Sequence, residues 1–218
     1  MAAWSYSALS SFETCPKKHY LTRIAKQVKE TEGEAARWGK RVHKAFEDRV
    51  LKGTPLPTGL TQWEPMMRKL EGSEGEILAE TQFALDANHK QVAWFDKSVW
   101  VRAVIDFGVI KGDRAVLLDY KTGKPKPDSD QLKLFAAVVM AIRPEVNKVS
   151  TGYLWLNTKE IYSEEFTREE LPELWKPFLP RVQRLDYAFE RNDWPARPSG
   201  LCRRHCPCTG CEFNGQAG

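Results

Sequence analysis

The chain has 218 residues, 42% of them hydrophobic, and a formal charge of +4 at pH 7, which suffices for a packed core in one large domain or two small ones. No apolar run approaches the roughly 18 to 20 residues of a membrane span, and the opening Met-Ala-Ala-Trp-Ser-Tyr-Ser has no basic stretch followed by an apolar one. A cytoplasmic protein with no membrane partner is expected, and the mild positive charge permits a nucleic-acid partner without demanding one.

The first predicted elements are a short helix from Ser7 and a second beginning near Pro16, where proline is tolerated in the first turn. Cys15 lies between them. Glu34 to Lys52 places Trp38, Val42, Ala45 and Phe46 at helical spacing, with Gly53 as the stop. Gly39, His43 and Glu47 recur every four residues along it and so share one face. Thr54 to Gly75 reads as a connector with one amphipathic turn or two around Trp63, Met66, Met67 and Leu70. Ile77 to Leu85 alternates as a strand, followed by a bend at Asn88 and His89 and an apolar run from Val92 to Phe95. By alternation alone Glu80 on that strand is a solvated strand residue.

Val99 to Ile110 and Val116 to Lys121 read as a hairpin, because Lys111-Gly-Asp-Arg114 is a turn signal. Strand alternation puts Asp119 and Lys121 on one face and Tyr120 on the other, and Asp106 arrives from the partner strand. Two carboxylates and a lysine at adjacent strand positions can hold a hard divalent cation and an attacking water. Gly123 to Ser129 is a loop, and Ser129 is the expected N-cap of a helix from Asp130 to Ile142 carrying Gln131 and Phe135. A strand through Tyr153 to Leu156 and a partner at Ile161 to Phe166 follow, then one helix from Leu171 to Asn192.

The chain has five cysteines, and four of them crowd into Cys202-Arg-Arg-His-Cys206-Pro-Cys208-Thr-Gly-Cys211. An odd count without an export signal argues against disulfides. Thiolates two to four residues apart, broken by Pro207 and Gly210, suit a metal or iron-sulfur site, with free reduced thiols as the alternative.

The intact wording Asp119-Tyr-Lys-Thr-Gly123, preceded by Asp106 and by Gly39-x-x-x-His43-x-x-x-Glu47, resembles the PD-(D/E)xK nuclease superfamily, and within it the RecB-like exonuclease branch. Ser7, Phe12 and Cys15-Pro-x-x-x-Tyr20 are similar to the opening of that branch, so the resemblance runs from Ser7 to Cys211. It implies an α/β fold, a small mixed central β-sheet flanked by helices with a restriction-endonuclease-like core. It implies His43, Asp106 and Asp119 as ligands of Mg²⁺ or Mn²⁺ with the Tyr120 carbonyl as a further one, Lys121 acting on the attacking water, and Gln131 close to the site and the DNA. Several relatives carry a glutamate on the first core strand, which implies Glu80 as an extra acid beside the metal, with a solvated strand residue as the alternative. Phe135 departs from the tyrosine that the branch carries at its position.

The iron-sulfur members of the branch, among them the AddB nuclease domain and the CRISPR-associated adaptation exonucleases, carry one cysteine near the start and three at the end of the domain. On that pattern Cys15, Cys202, Cys206 and Cys211 bind a [4Fe-4S] cluster, with zinc as the alternative and Cys208 surplus. The expected organisation is a single nuclease domain over 1–218, in which 1–33 and 194–218 form a cysteine clasp around a catalytic core at 34–193. The function implied is a DNA exonuclease acting on single strands or ends in recombination, repair or phage DNA processing, with room for a protein partner or homo-oligomer. The alternatives are a DNA-end-binding module with a degenerate site and a zinc or iron-sulfur interaction module.

Overall fold

A computed structural model describes residues 3–30, 32–125 and 129–215; Lys126, Pro127 and Asp128 of the expected loop lie outside the described residues. In chain order the helices and strands are α1 (Tyr6–Thr14), α2 (Pro16–His19), α3 (Glu34–Lys52), α4 (Glu64–Glu71), β1 (Glu76–Leu85), β2 (Gln91–Val92), β3 (Val101–Lys111) and β4 (Arg114–Lys121). They continue with α5 (Asp130–Ile142), β5 (Lys148–Trp155), β6 (Glu160–Thr167), α6 (Leu171–Trp175) and α7 (Leu179–Arg191). Among the described residues no helix is long and apolar enough to cross a membrane. The chain divides into two compact units, Gly33–Pro177 and Met1–Glu32 with Phe178–Gly218.

The unit Gly33–Pro177 is an α/β layer structure on a six-stranded sheet of order β2–β1–β3–β4–β5–β6. Every neighbouring pair is antiparallel except β4 and β5, and a parallel pair requires a crossover, which α5 supplies. That role explains the composition of α5: Leu132 and every residue from Leu134 to Met140 is buried, as expected of a helix covered on most sides. Ser129 occupies the N-cap position of α5 but its side chain caps no backbone N–H.

Strand alternation sorts the core into two layers. On one face Val42 and Phe46 of α3 cluster with Phe107, Tyr120 and Leu154, and on the other Leu132 of α5 clusters with Tyr153 and Trp155. The amphipathic α3 ends where Gly53 adopts φ 67 and returns its N–H to the carbonyls of Asp48 and Arg49, a left-handed cap that favours glycine. The buried Arg49 fixes α3 to α4 through Glu64 and Glu71, at 2.8 Å each.

The expected apolar run from Val92 to Phe95 is strand only at Gln91–Val92, because Asp96 then bends the chain, accepting from the backbone and hydroxyl of Ser98. The single helix expected from Leu171 to Asn192 is two. Pro177 cannot donate an N–H to continue α6, and Pro180 sits in the first turn of α7, where no donor is required.

In the unit of Met1–Glu32 and Phe178–Gly218, Glu13 at the end of α1 receives a two-pronged ion pair from Arg181 of α7, with both contacts at 2.8 Å. Trp4 stacks on Phe178, and Trp194 sits among Phe12, His19, Tyr20 and Phe189. α2 runs on into a wider helical turn, Tyr20–Ile24.

Candidate active site

β4 is anchored by Tyr120, whose ring meets Phe46 edge-on with centroids 4.8 Å apart. Alternation therefore turns Asp119 and Lys121 toward α5. Lys121 Nζ lies 2.6 Å from Asp119 Oδ2 as an ion pair and donates to Gln131 Oε1 at 2.8 Å. The amide of Gln131 donates in turn to Asp119 Oδ1 at 2.8 Å. Three side chains thus close a ring in which each holds the other two.

On the adjacent strand Asp106 is buried and accepts the backbone N–H of Tyr120 through Oδ2 at 2.8 Å. In register Glu80 of β1 stands opposite Asp106, between the pairs Ala79↔Phe107 and Thr81↔Ile105, but the ladder is interrupted there. Glu80 has φ 46, a left-handed conformation that costs a non-glycine residue roughly 1–2 kcal/mol. The Thr81 hydroxyl accepts the Ala79 N–H at this kink, 3.1 Å away.

At the kink Glu80 Oε1 meets His43 Nδ1 at 3.0 Å, and Asp106 Oδ2 lies 3.5 Å from the same nitrogen. His43 Nε2 faces the Tyr120 carbonyl at 2.9 Å. One potential ligand atom from each of His43, Glu80 and Asp106 lies within 4.8 Å of the others.

Packing three acids into a half-dry site perturbs the groups within it. Burial, and then the charge of Asp119, push the Asp106 carboxyl well above the usual carboxylate range. Burial also raises Asp119, although the Lys121 ammonium pulls against it. For His43 burial acts downward, yet the hydrogen bond to Glu80 and the charges of Asp106 and Glu80 outweigh it and raise the imidazole to about 9. This is a concentration of acceptors arranged for a cation.

The second cluster lies in the other unit. Cys15, Cys202, Cys206, Cys208 and Cys211 all line one pocket, and all five are free thiols. The Arg197 N–H donates to Cys15 Sγ and the Ser199 N–H to Cys202 Sγ, both at 3.4 Å. Asn214 ties the loop by donating to the carbonyls of Cys206 and Cys208 at 3.0 Å each. Cys208 is buried, and that burial, followed by the charge of Cys206, pushes its thiol up to about 12.

Of the residues expected from sequence, the structure gathers His43, Asp106 and the Tyr120 carbonyl at one point and Asp119, Lys121 and Gln131 at the next. Glu80, an extra acid by resemblance and a solvated residue by strand pattern, joins His43 and Asp106. Its position on the first core strand was the available signal; the backbone kink has no sequence signature.

A sequence model of the PD-(D/E)XK nuclease superfamily matches residues 3–215. No curated protein matches the chain by sequence. Among solved structures, a candidate exonuclease from Eubacterium rectale superposes with a TM-score of 0.51 at 13% identity, covering 93% of this chain and 86% of that one, a likeness of fold. The protein SSO0001 gives a TM-score of 0.47 at 12% identity over 98% of this chain and 88% of its own.

Proposed function

The chain belongs to the PD-(D/E)XK nuclease superfamily, and from that premise we propose that it is a metal-dependent deoxyribonuclease that digests single-stranded DNA or DNA ends as an exonuclease. The observation that carries this reading is the convergence of His43, Glu80 and Asp106 within 4.8 Å, directly beside the Asp119–Lys121–Gln131 ring. Two carboxylates and an imidazole are a donor set suited to Mg²⁺ or Mn²⁺. His43, Asp106 and Glu80 would hold the ion, with Asp119 and the Tyr120 carbonyl next to them. When bound, the ion supplies Lewis acidity toward the phosphoryl oxygens and makes water a nucleophile near neutral pH.

The protein groups around it divide the remaining work. Lys121 orients the attacking water and offers a positive charge to the phosphate. Asp119 and Gln131 fix the ammonium, since each accepts from or donates to the same three-membered ring. Asp106 is itself fixed by the Tyr120 N–H. To ligate a cation His43 would release to solvent the proton on the nitrogen that faces the ion, keeping the hydrogen bond made by the other nitrogen.

For the cysteine pocket the reading is a [4Fe-4S] cluster on Cys15, Cys202, Cys206 and Cys211, with zinc as the alternative, joining segments 1–33 and 194–218. The support is the shared pocket and the two backbone N–H groups aimed at sulfur, a feature that tunes iron-sulfur centres. Cys208 is the member left out, because the branch carries three cysteines at the end of the domain where this chain has four. Recombination, repair or phage DNA processing would be the setting, in the cytoplasm.

The test is digestion of end-labelled single- and double-stranded DNA by the purified protein with and without Mn²⁺. Progressive shortening from an end that requires Mn²⁺ is expected. Full-length DNA recovered in both conditions would overturn the reading.

A further inference from the structure

The apolar stripe of α3 continues past the core that covers it. Val42 and Phe46 are completely buried, whereas Trp38, one turn before Val42 on the same stripe, is 37% exposed. Helix geometry sets Trp38 about 7.5 Å along the axis from His43. Between them Gly39 faces the chain just beyond Lys121: a Cβ there would lie 3.2 Å from Thr122 Oγ1. The helix therefore closes against the end of β4 at Gly39, and Trp38 stands immediately outside that closure.

The surroundings of the indole carry an excess of positive charge, three basic residues against Glu34 one turn before it. The Arg41 guanidinium lies 5.5 Å from the ring centroid, and Arg37, Lys40 and Arg41 are all exposed on this half of the helix. An aromatic ring capped by a guanidinium suits a partner with a flat face and a negative charge on the same unit. A nucleotide has both. Single strands present base faces to such a ring, while a duplex has already covered them except at its ends.

We infer that Trp38 and Arg41 form a stacking platform for a base of single-stranded DNA at the entrance to the site. The platform explains how a strand would be selected before cleavage: the base stacks on indole, and Arg41 adds a cation–π contact and a charge toward the backbone. Because every base has a π-face, the selection is for single-strandedness and not for sequence. The inference rests on the nuclease reading for what happens after binding, but its own test does not need cleavage.

That test is fluorescence anisotropy of a fluorescein-labelled oligodeoxythymidylate and of a blunt duplex in EDTA, with the wild type, Trp38→Ala, Trp38→Phe and Arg41→Ala. Trp38→Ala should weaken single-strand binding roughly ten- to hundredfold, Trp38→Phe should retain most of it, and duplex binding should change little. An abasic scan with the wild-type protein supplies a readout that no misfolded variant can confuse. One abasic position should cost the wild type the same factor, and Trp38→Ala should lose nothing further there. Equal single-strand binding by Trp38→Ala, an equal loss for both DNAs, or an abasic scan without any sensitive position would each overturn the platform. Mn²⁺-dependent cleavage by the wild type is scored separately: its absence would remove the nuclease reading and leave the binding result intact.

Discussion

The acid centre and the cysteine pocket both gather residues far apart in sequence, but on different supports. His43, Glu80, Asp106, Asp119 and Lys121 ride on a nineteen-residue helix and three paired strands, and their polar atoms already satisfy one another. The cysteines sit at a helix boundary and on the turns of 200–211, tied by a few backbone hydrogen bonds. A centre built on a sheet keeps its shape without help, whereas thiols on turns need something bound to hold them together. Changing a ligand should therefore cost chemistry at the first and structure at the second.

The largest effect tests the first half of that contrast. Asp119→Asn and Lys121→Ala should each lower cleavage of end-labelled DNA by roughly a hundredfold or more, with a circular-dichroism melting temperature close to wild type. A large fall in melting temperature would mean that the ring of Asp119, Lys121 and Gln131 is chiefly structural.

The second half is tested by the five Cys→Ser variants made anaerobically. Those at Cys15, Cys202, Cys206 and Cys211 should lose iron and melting temperature together, while Cys208→Ser should keep both. Cys15→Ser with full iron content would reassign the site to the four C-terminal thiols, for which zinc becomes the better occupant.

A smaller effect sharpens the assignment of Glu80. His43→Ala and Glu80→Gln should each raise the Mn²⁺ concentration for half-maximal cleavage by about ten- to hundredfold. An unchanged Mn²⁺ titration for Glu80→Gln would reduce the kinked glutamate to a partner of His43.

The smallest effect concerns His19, which is buried against Phe12 and Trp194. Burial, with the nearby Arg23 charge adding to it, lowers its pKa to about 4, and its Nδ1 has no hydrogen-bond partner among the described residues. Between about pH 6.5 and 4 the unfolded chain binds the proton and the folded one does not, so stability falls as pH drops through that window. The loss should be on the order of 2 kcal/mol. Urea melts from pH 7 to 4 check it, and His19→Phe should flatten the slope.

Much of the fold was legible because period and punctuation agree. The stripe at Val42 and Phe46 with its Gly53 stop, the hairpin turn at Gly112-Asp113, and the buried α5 each combine a pattern with a terminator. The division between α6 and α7 was not, since the amphipathic pattern continues across Pro177 and only the missing N–H breaks it. At the site, strand alternation puts Asp119 and Lys121 on one face, but a bare Asp-x-Lys is common on solvated strands, and it is the longer wording Asp119-Tyr-Lys-Thr-Gly123 that marks the pair. The place of Glu80 does not follow from alternation, which assigns a face but cannot show that φ turns positive and brings the carboxylate to His43. The pairing of Gln131 with both Asp119 and Lys121 likewise depends on how α5 crosses the sheet, which no local pattern encodes.

The most direct test of a metal-dependent site on the sheet is Mn²⁺ binding followed by electron paramagnetic resonance in the wild type and in Asp106→Asn, with DNA cleavage measured on the same samples. The wild type should bind Mn²⁺ and cleave, and the variant should lose bound Mn²⁺ and cleavage together while remaining folded. Undiminished Mn²⁺ binding and cleavage in Asp106→Asn would contradict the assignment.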